Sequence, residues 1–144
     1  MNTVGKILKV KGSTVWTISK DALVLEALKV FADKHISSVI VMDGEHVCGI
    51  FTERDFAKKV GLFGINPAGT KIENHMTRDL ITVDTSQSVH TCMLLMTEKR
   101  IRHLPVFHKG KLVGIVSIGD VLKDLIDELQ FMVTQLENYI KGLR

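Results

Sequence analysis

The sequence predicts an α/β fold built from two tandem β-α-β-β-α repeats. The main observation is an internal match: Gly49-Ile-Phe-Thr-Glu-Arg-Asp55 recurs 65 positions later as Gly114-Ile-Val-Ser-Ile-Gly-Asp120. The second observation is a change of apolar period, from helical to strand-like, in the same order within each copy. We expect repeat 1 at residues 7–65, repeat 2 at 72–127 and a helical extension at 128–144.

Each repeat is expected to begin with a strand and an amphipathic helix. The strands are predicted at Val15–Ile18 and Leu80–Val83, since both segments are rich in β-branched and apolar residues. The helices are predicted from apolar residues at i, i+3, i+4 and i+7. These residues are Val24, Ala27, Leu28 and Phe31 in the first copy, and Val89, Cys92, Met93 and Met96 in the second.

A hairpin and a second helix complete each repeat. Val39–Met42 and Val47–Phe51 flank an Asp-Gly turn signal, and Leu104–Phe107 and Leu112–Val116 form the matching pair. The second helices are predicted to open after Thr52 and Ser117. A unit of about 60 residues buries little apolar surface alone, so we expect the two repeats to pack about a pseudo-twofold axis.

Composition excludes several classes of protein. The 144 residues carry a formal net charge of +3, which is too small for a general nucleic-acid binder, and two cysteines exclude a disulfide framework. The six histidines have no ligand spacing, so no metal site is predicted. Without a signal segment or membrane span, the protein is expected in the cytoplasm. The sequence has no motif for nucleophilic catalysis and no Walker-type or Gly-x-Gly-x-x-Gly loop, so we expect no enzymatic activity.

An apolar seam at the C-terminus predicts a homodimer. After Asp120 neither Gly nor Pro occurs until Gly142, so the last helix is expected to continue well beyond the repeat. Apolar residues recur along it at three- and four-residue steps. They are Leu122, Leu125, Ile126, Leu129, Met132, Val133, Leu136, Tyr139, Ile140 and Leu143. The alternative is that this helix folds back to cover its own core.

The ordered set of motifs resembles the cystathionine β-synthase (CBS) domain pair, or Bateman module. The resemblance rests on the paired repeats, on His75-Met-Thr-Arg78 before a strand, on Arg102-His-Leu-Pro-Val106, and on Gly-apolar-apolar-Thr/Ser-x-x-Asp occurring twice. It covers about residues 7 to 127. It implies a sensor that binds AMP, ADP, ATP, NAD or S-adenosylmethionine in clefts between the repeats and signals to a regulated partner protein. Of these ligands we expect AMP, ATP or NAD, with no cofactor required.

Two short motifs carry the expected nucleotide chemistry. Thr52 and Ser117 stand where a strand meets a helix, and the free N–H groups of a helix start favour a phosphate. Three residues later, Asp55 and Asp120 offer two acceptor oxygens each, which suits the adjacent hydroxyls of a ribose. The alternative is a capping box, in which Thr or Ser caps the helix and the acid at N3 caps it reciprocally, without any ligand.

We expect the two sites to be unequal. The family geometry directs Arg102 and His103 towards Thr52, Arg54 and Asp55, making a cationic site suited to ATP or NAD. Ser117, Gly119 and Asp120 would combine with Ser37 and Ser38, a set without a cation that suits AMP or adenosine. Arg102 as a solvated arginine and His103 as an ordinary strand histidine remain alternatives.

Residues in or near the strands are expected to line two apolar adenine slots, with core packing as the alternative. They are Val15, Trp16, Thr17, Ile36, Leu80, Ile81, Thr82, Ile101 and Pro105. Trp16 is expected to be a core residue or a slot wall rather than a stacking platform. Two other functions stay open: a nucleic-acid binder that uses Arg54, Arg102 and the N-terminal lysines, and a purely structural dimerisation module.

Overall fold

The computed structural model describes residues 2–142, which form two compact units. The first-repeat unit is continuous and spans residues 14–81. The second-repeat unit combines residues 82–142 with residues 2–13, which include the helix α1 (Val4–Lys11). Residues 7–13, which the sequence analysis assigns to the first repeat, therefore pack with the second.

The first-repeat unit contains a three-stranded mixed sheet in the order β1-β2-β3. Its elements are β1 (Thr17–Ser19), α2 (Val24–Lys34), β2 (Ser38–Asp43), β3 (His46–Thr52) and α3 (Glu53–Asp55), which continues as a π-helix over Phe56–Gly61. Strands β1 and β2 are parallel, and β2 and β3 are antiparallel. The second helix of this repeat ends at Gly61.

The second-repeat unit repeats this topology. Its elements are β4 (Val83–Asp84), α4 (Val89–Lys99), β5 (His103–His108), β6 (Lys111–Ser117) and α5 (Ile118–Ile140). Even the irregular features match at the 65-residue offset. The register shifts between Val41 and Met42 and again between Val106 and Phe107, and the left-handed C-caps His35 and Arg100 both have φ 54°. The predicted α/β repeat architecture is confirmed.

The first strand of each repeat is shorter than predicted. β1 begins at Thr17, although Trp16 O still accepts a hydrogen bond from Ile40 N at 3.0 Å. β4 is reduced to Val83 and Asp84, because a local turn, in which Leu80 N donates to Arg78 O, keeps the preceding residues out of the sheet ladder. The predicted strands at Val15–Ile18 and Leu80–Val83 are therefore wrong at their N-terminal ends.

Each core lies between the sheet and the amphipathic helix. In the first-repeat unit, the rings of Phe31 and Phe51 stack at 6.2 Å between centroids among buried valines. In the second-repeat unit, α1 adds the buried residues Val4, Ile7 and Leu8. The helical stripes are confirmed, because Val24, Ala27 and Phe31, and likewise Val89, Cys92 and Met96, are buried.

The C-terminal helix α5 extends over 23 residues and buries only Val121. Leu125 of the predicted seam is half-buried, whereas nine other large apolar side chains of this helix are 44% to 82% exposed. They are Leu122, Ile126, Leu129, Phe131, Met132, Val133, Leu136, Tyr139 and Ile140. Leu143, the last residue of the predicted seam, lies outside the described residues. None of the helices within residues 2–142 is long and apolar enough to cross a lipid bilayer.

Candidate functional site

Thr52 and Asp55 form a reciprocal cap at the start of α3. The Thr52 backbone N donates to Asp55 Oδ2 at 3.0 Å, and the Asp55 backbone N donates to Thr52 Oγ1 at 3.1 Å. This geometry satisfies two N–H groups that would otherwise lack a partner at the helix start. The capping-box interpretation of this motif is confirmed.

The second oxygen of Asp55 is also occupied. Thr77 Oγ1 donates to Asp55 Oδ1 at 3.0 Å, and Lys59 Nζ lies 3.2 Å from the same atom. Lys59 Nζ also donates to Thr77 Oγ1 at 3.4 Å, so the three side chains form one network. Only 12% of the Asp55 side chain is exposed. Any ligand hydroxyl that binds this carboxylate must therefore replace a donor of the protein.

Ser117 and Asp120 form the equivalent cap at the start of α5. The Ser117 backbone N donates to Asp120 Oδ2 at 2.8 Å, and the Asp120 backbone N donates to Ser117 Oγ at 3.2 Å. The capping box is thus confirmed in both repeats. Since both carboxylates have the same structural task, the cap alone does not distinguish a ligand site from a stable helix start.

Lys11 supplies a cation at Asp120. Its Nζ lies 2.6 Å from Asp120 Oδ2 and donates to Ile115 O at 2.9 Å. The two side chains are only 32% and 22% exposed, so the pair is partly shielded from water. The predicted absence of a cation at this site is therefore wrong. The 65-residue offset relates positions of the two repeats only to each other. It does not reveal the Lys11 ammonium, because this group comes from α1.

Asp120 and His103, which lie beside the second cap, both have displaced pKa values. Burial raises the pKa of Asp120, but hydrogen bonds from Lys11 and Ser117 and the positive charge of Lys11 outweigh burial, so the pKa lies below its ordinary 3.8. Burial lowers the pKa of His103 from its ordinary 6.5. The charges of Lys11 and Arg102 lower it further, against the opposing effect of Asp120. His103 is therefore neutral at pH 7.

Residues at the start of the second strand of each sheet lie next to these caps. In the first-repeat unit, Ser38 pairs with Thr52, and Ser37 O accepts a hydrogen bond from Glu53 N at 3.0 Å. Arg54 is exposed on α3.

The second-repeat unit has the same arrangement. His103 pairs with Ser117, and Arg102 O accepts from Ile118 N at 2.8 Å. Gly119 is exposed. Within each unit, the strand residues thus lie beside the cap of their own repeat. The predicted placement of Arg102 and His103 beside Asp55 stays a prediction.

Trp16 differs from the other candidate slot residues. It is 40% exposed, and Lys34 Nζ lies 4.8 Å from its ring centroid, a cation–π contact. Trp16 is therefore not a core residue, because it precedes the short β1, whereas its alternative role as a slot wall stays a prediction. Of the others, Pro105 is buried, Thr17 and Thr82 are exposed, and the rest are half-buried: Val15, Ile36, Leu80, Ile81 and Ile101.

Sequence reasoning missed three residues of the site: Lys11, Lys59 and Thr77. Lys59 could have been found, because it stands four residues after Asp55 on the predicted helix. Thr77 belongs to a motif used for the family resemblance but was given no role. Lys11 is 109 residues from Asp120, and no local pattern connects them. Among residues 2–142 no cluster of three or more metal-ligating side chains occurs.

Comparisons of this chain with family models, with known proteins and with solved structures agree on one family. The CBS domain model matches residues 10–61 and 71–127. CBSX3, a mitochondrial CBS domain-containing protein of Arabidopsis thaliana, is 35% identical over 150 residues, covering 97% of this chain and 72% of CBSX3. A CBS-domain protein from Burkholderia ambifaria MC40-6 has a TM-score of 0.85 and 45% identity, covering 88% of this chain and 95% of that one.

Two further solved structures carry information on ligands and assembly. The CBS domain pair of MJ0100, in complex with 5′-methylthioadenosine and S-adenosyl-L-methionine, has a TM-score of 0.77 and 25% identity, covering 89% of this chain and 98% of that one. The hexameric CBS-CP12 protein of bloom-forming cyanobacteria has a TM-score of 0.76 and 30% identity, covering 85% and 70%. With two family matches spanning most of its length and the same duplicated fold, this chain belongs to the CBS domain family, as a tandem pair of CBS domains.

Proposed function

We propose that this protein is a non-catalytic regulatory module that binds adenosine nucleotides and signals to a partner protein. The observation that carries the proposal is the duplicated cap within a tandem pair of CBS domains: in each repeat, a largely buried aspartate lies at the start of a helix that follows a strand. The MJ0100 pair in complex with adenosyl compounds supports the choice of ligand class. The choice among AMP, ATP and NAD is our prediction.

The caps have the chemistry that a nucleotide needs. Each carboxylate accepts hydrogen bonds, and a ribose diol can replace the present donors on Asp55 or Asp120. A phosphate is favoured near a helix start because the helix dipole attracts negative charge, and it would compete with the caps for the first N–H groups. In the first-repeat unit, Trp16 is 40% exposed, and its indole can form one wall of an adenine slot.

A ligand panel on the full chain tests this function. Thermal unfolding would be followed with AMP, ATP, NAD and S-adenosylmethionine, each titrated to saturation. We expect at least one ligand to stabilise the protein, by about 2.7 kcal/mol at one hundred times its dissociation constant. No stabilisation by any of the four would contradict the proposal. Oligonucleotide binding that weakens steeply with salt would instead favour a nucleic-acid binder.

Matched variants separate ligand binding from helix capping. Asp55→Asn and Asp120→Asn would be compared with Asp33→Asn and Asp127→Asn, which change exposed carboxylates on α2 and α5. Each ligand response is measured relative to the same variant without ligand, so a loss of stability alone does not count. We expect reduced affinity in the site variants only. Unchanged binding in both site variants would refute the assigned role of the carboxylates.

We propose further that the protein forms a homodimer through the exposed apolar face of α5. Side chains such as Leu129, Met132 and Leu136 are more than half exposed on a helix of about 34 Å, and an apolar stripe of that length favours a partner helix. Light scattering would compare the full chain with a chain ending at Glu128. Leu136→Glu and its neighbour Gln135→Glu add the same charge, and we expect only the former to dissociate the dimer. A monomeric full chain at micromolar concentration would overturn this proposal.

A further inference from the structure

Under the proposed function, the carboxylate of Asp120 binds the ribose of the ligand. Lys11 already occupies part of the hydrogen-bonding capacity of this carboxylate. Its ammonium contacts Asp120 Oδ2 at 2.6 Å and Ile115 O at 2.9 Å. The same Oδ2 accepts the Ser117 backbone N–H at 2.8 Å. A ribose hydroxyl approaching this oxygen therefore meets a charge-assisted hydrogen bond that is already made.

The position of Lys11 is set by the packing of α1. Val4 N donates to Gln87 O and Gly5 N donates to Thr85 O, both at 2.9 Å, which ties the start of α1 to the loop before α4. Farther along α1, the buried Leu8 lies directly over Gly114. Lys11 follows one turn later, so the ammonium is presented by a packed helix.

A neutral ligand and an anionic ligand differ in what they offer this lysine. Two ribose hydroxyls can replace the ammonium on Asp120, but the displaced charge then loses its carboxylate partner in a partly shielded position. A ligand that carries a phosphate gives the same ammonium a new anionic partner. The ammonium then exchanges one anionic partner for another. Most of the free energy needed to separate Lys11 from Asp120 is thereby offset.

The first-repeat unit has a different arrangement at Asp55. There the carboxylate is held by the neutral hydroxyl of Thr77, and the cation, Lys59, comes from the same helical segment. The Lys59 side chain is 42% exposed, against 32% for Lys11. The requirement for an anionic group should therefore be stronger at Asp120 than at Asp55.

We propose that Lys11 is a specificity-determining residue that makes binding at Asp120 depend on a phosphate group of the ligand. The inference rests on the proposed nucleotide function and narrows it, because it sets AMP, ADP and ATP apart from adenosine and 5′-methylthioadenosine at this site. It also reverses part of the expectation that Ser117 and Asp120 suit adenosine as well as AMP.

The experiment titrates the full chain with adenosine and with AMP, using the Ser117 amide resonance as a local reporter. This amide donates to Asp120, so its chemical shift reports on that carboxylate and not on Asp55. In the wild type, we expect AMP to bind at least tenfold more tightly than adenosine. In Lys11→Met, the ratio should fall by about tenfold or more, the range of one charge-assisted hydrogen bond, with adenosine binding improved.

Two further variants complete the design. Lys11→Arg keeps the charge and should keep the preference for AMP, while Lys9→Met removes an exposed lysine of α1 and should behave as wild type. An unchanged AMP-to-adenosine ratio in Lys11→Met, with both ligands bound, overturns the role of Lys11 and leaves the nucleotide function standing. If neither ligand shifts the Ser117 amide in wild type or variants, the nucleotide function of this site fails, and the role of Lys11 fails with it.

Discussion

Replacing Gly49 by alanine should destabilise the protein more than the equivalent change at Gly114. A Cβ atom at Gly49 would lie 2.7 Å from Met76 Sδ and 2.8 Å from the backbone oxygen of Thr77. A Cβ atom at Gly114 would meet only side-chain atoms of Leu8, at 2.7 and 2.9 Å. The two glycines occupy equivalent positions in the repeats. The backbone of Thr77 over Gly49 is less free to move than the side chain of Leu8 over Gly114.

The magnitude follows from what has to move. At Gly114 the Leu8 side chain can leave its rotamer at a cost of about 0.5–1.5 kcal/mol, and alanine returns about 0.4–1 kcal/mol by restricting the unfolded chain. The net loss should be about 1 kcal/mol or less. At Gly49 the Thr77 carbonyl must shift, although it accepts from Ile50 N at 3.0 Å, while Thr77 N donates to Ile50 O at 2.8 Å. Overpacking of about 1–3 kcal/mol and one weakened hydrogen bond of about 0.5–1.5 kcal/mol, less the same gain from alanine, give a net loss of about 1–3.5 kcal/mol.

Equilibrium urea unfolding of the wild type, Gly49→Ala and Gly114→Ala measures the difference directly. Amide hydrogen exchange at Ile50 and Thr77 then locates the damage, and we expect faster exchange at both in Gly49→Ala only. The reasoning is refuted if Gly114→Ala loses as much free energy of unfolding as Gly49→Ala. It is equally refuted if the Ile50 and Thr77 amides keep their protection when Gly49 is replaced.

Three further outcomes follow from the pKa shifts. The pKa of Asp120 in the folded protein lies below its ordinary 3.8. The ionised carboxylate therefore stabilises the fold above pH 3.8, and this stabilisation is lost as the pH falls below 3.8. Lys11→Met should reduce this loss, measured by urea unfolding at a series of pH values. The folded pKa of His103 lies below 6.5, so the unfolded chain binds the extra proton and stability should fall as the pH drops through 6.5, a slope that His103→Asn should flatten. Burial raises the pKa of Cys92 to about 11, so a thiol reagent at pH 7.5 should label this residue only after denaturation, and rapid labelling of the native protein would contradict its burial.

The repeat architecture was predictable because duplication makes every local pattern appear twice. The stripe at Val24, Ala27 and Phe31 is weak evidence for a helix by itself, but the same stripe occurs one repeat later. Strand limits were less predictable. β-propensity favoured Val15 and Trp16, whereas the observed strand begins at Thr17, the first residue that pairs in register with β2.

The site was predictable only as far as it is local. Thr52 with Asp55, and Ser117 with Asp120, are three residues apart, so their capping geometry follows from helix structure. The residues that complete the network come from elsewhere in the chain, as Thr77 does for Asp55 and Lys11 for Asp120. The helix α1 has too few residues for its period to predict which element it packs against, and so the cation it carries could not be assigned.

The discontinuous second-repeat unit has a consequence for folding during synthesis. Residues 14–81 form a continuous unit, so all the chain that makes its internal contacts is available once these residues have left the ribosome. The helix α1 is made before them and finds its partners, Thr85 and Gln87, only after them. Closing such a long loop is slow compared with forming local structure. The pair of Lys11 and Asp120 can form only when translation has passed both ends of this loop. In a nascent chain, the network of Asp55, Thr77 and Lys59 can therefore form well before the ion pair between Lys11 and Asp120.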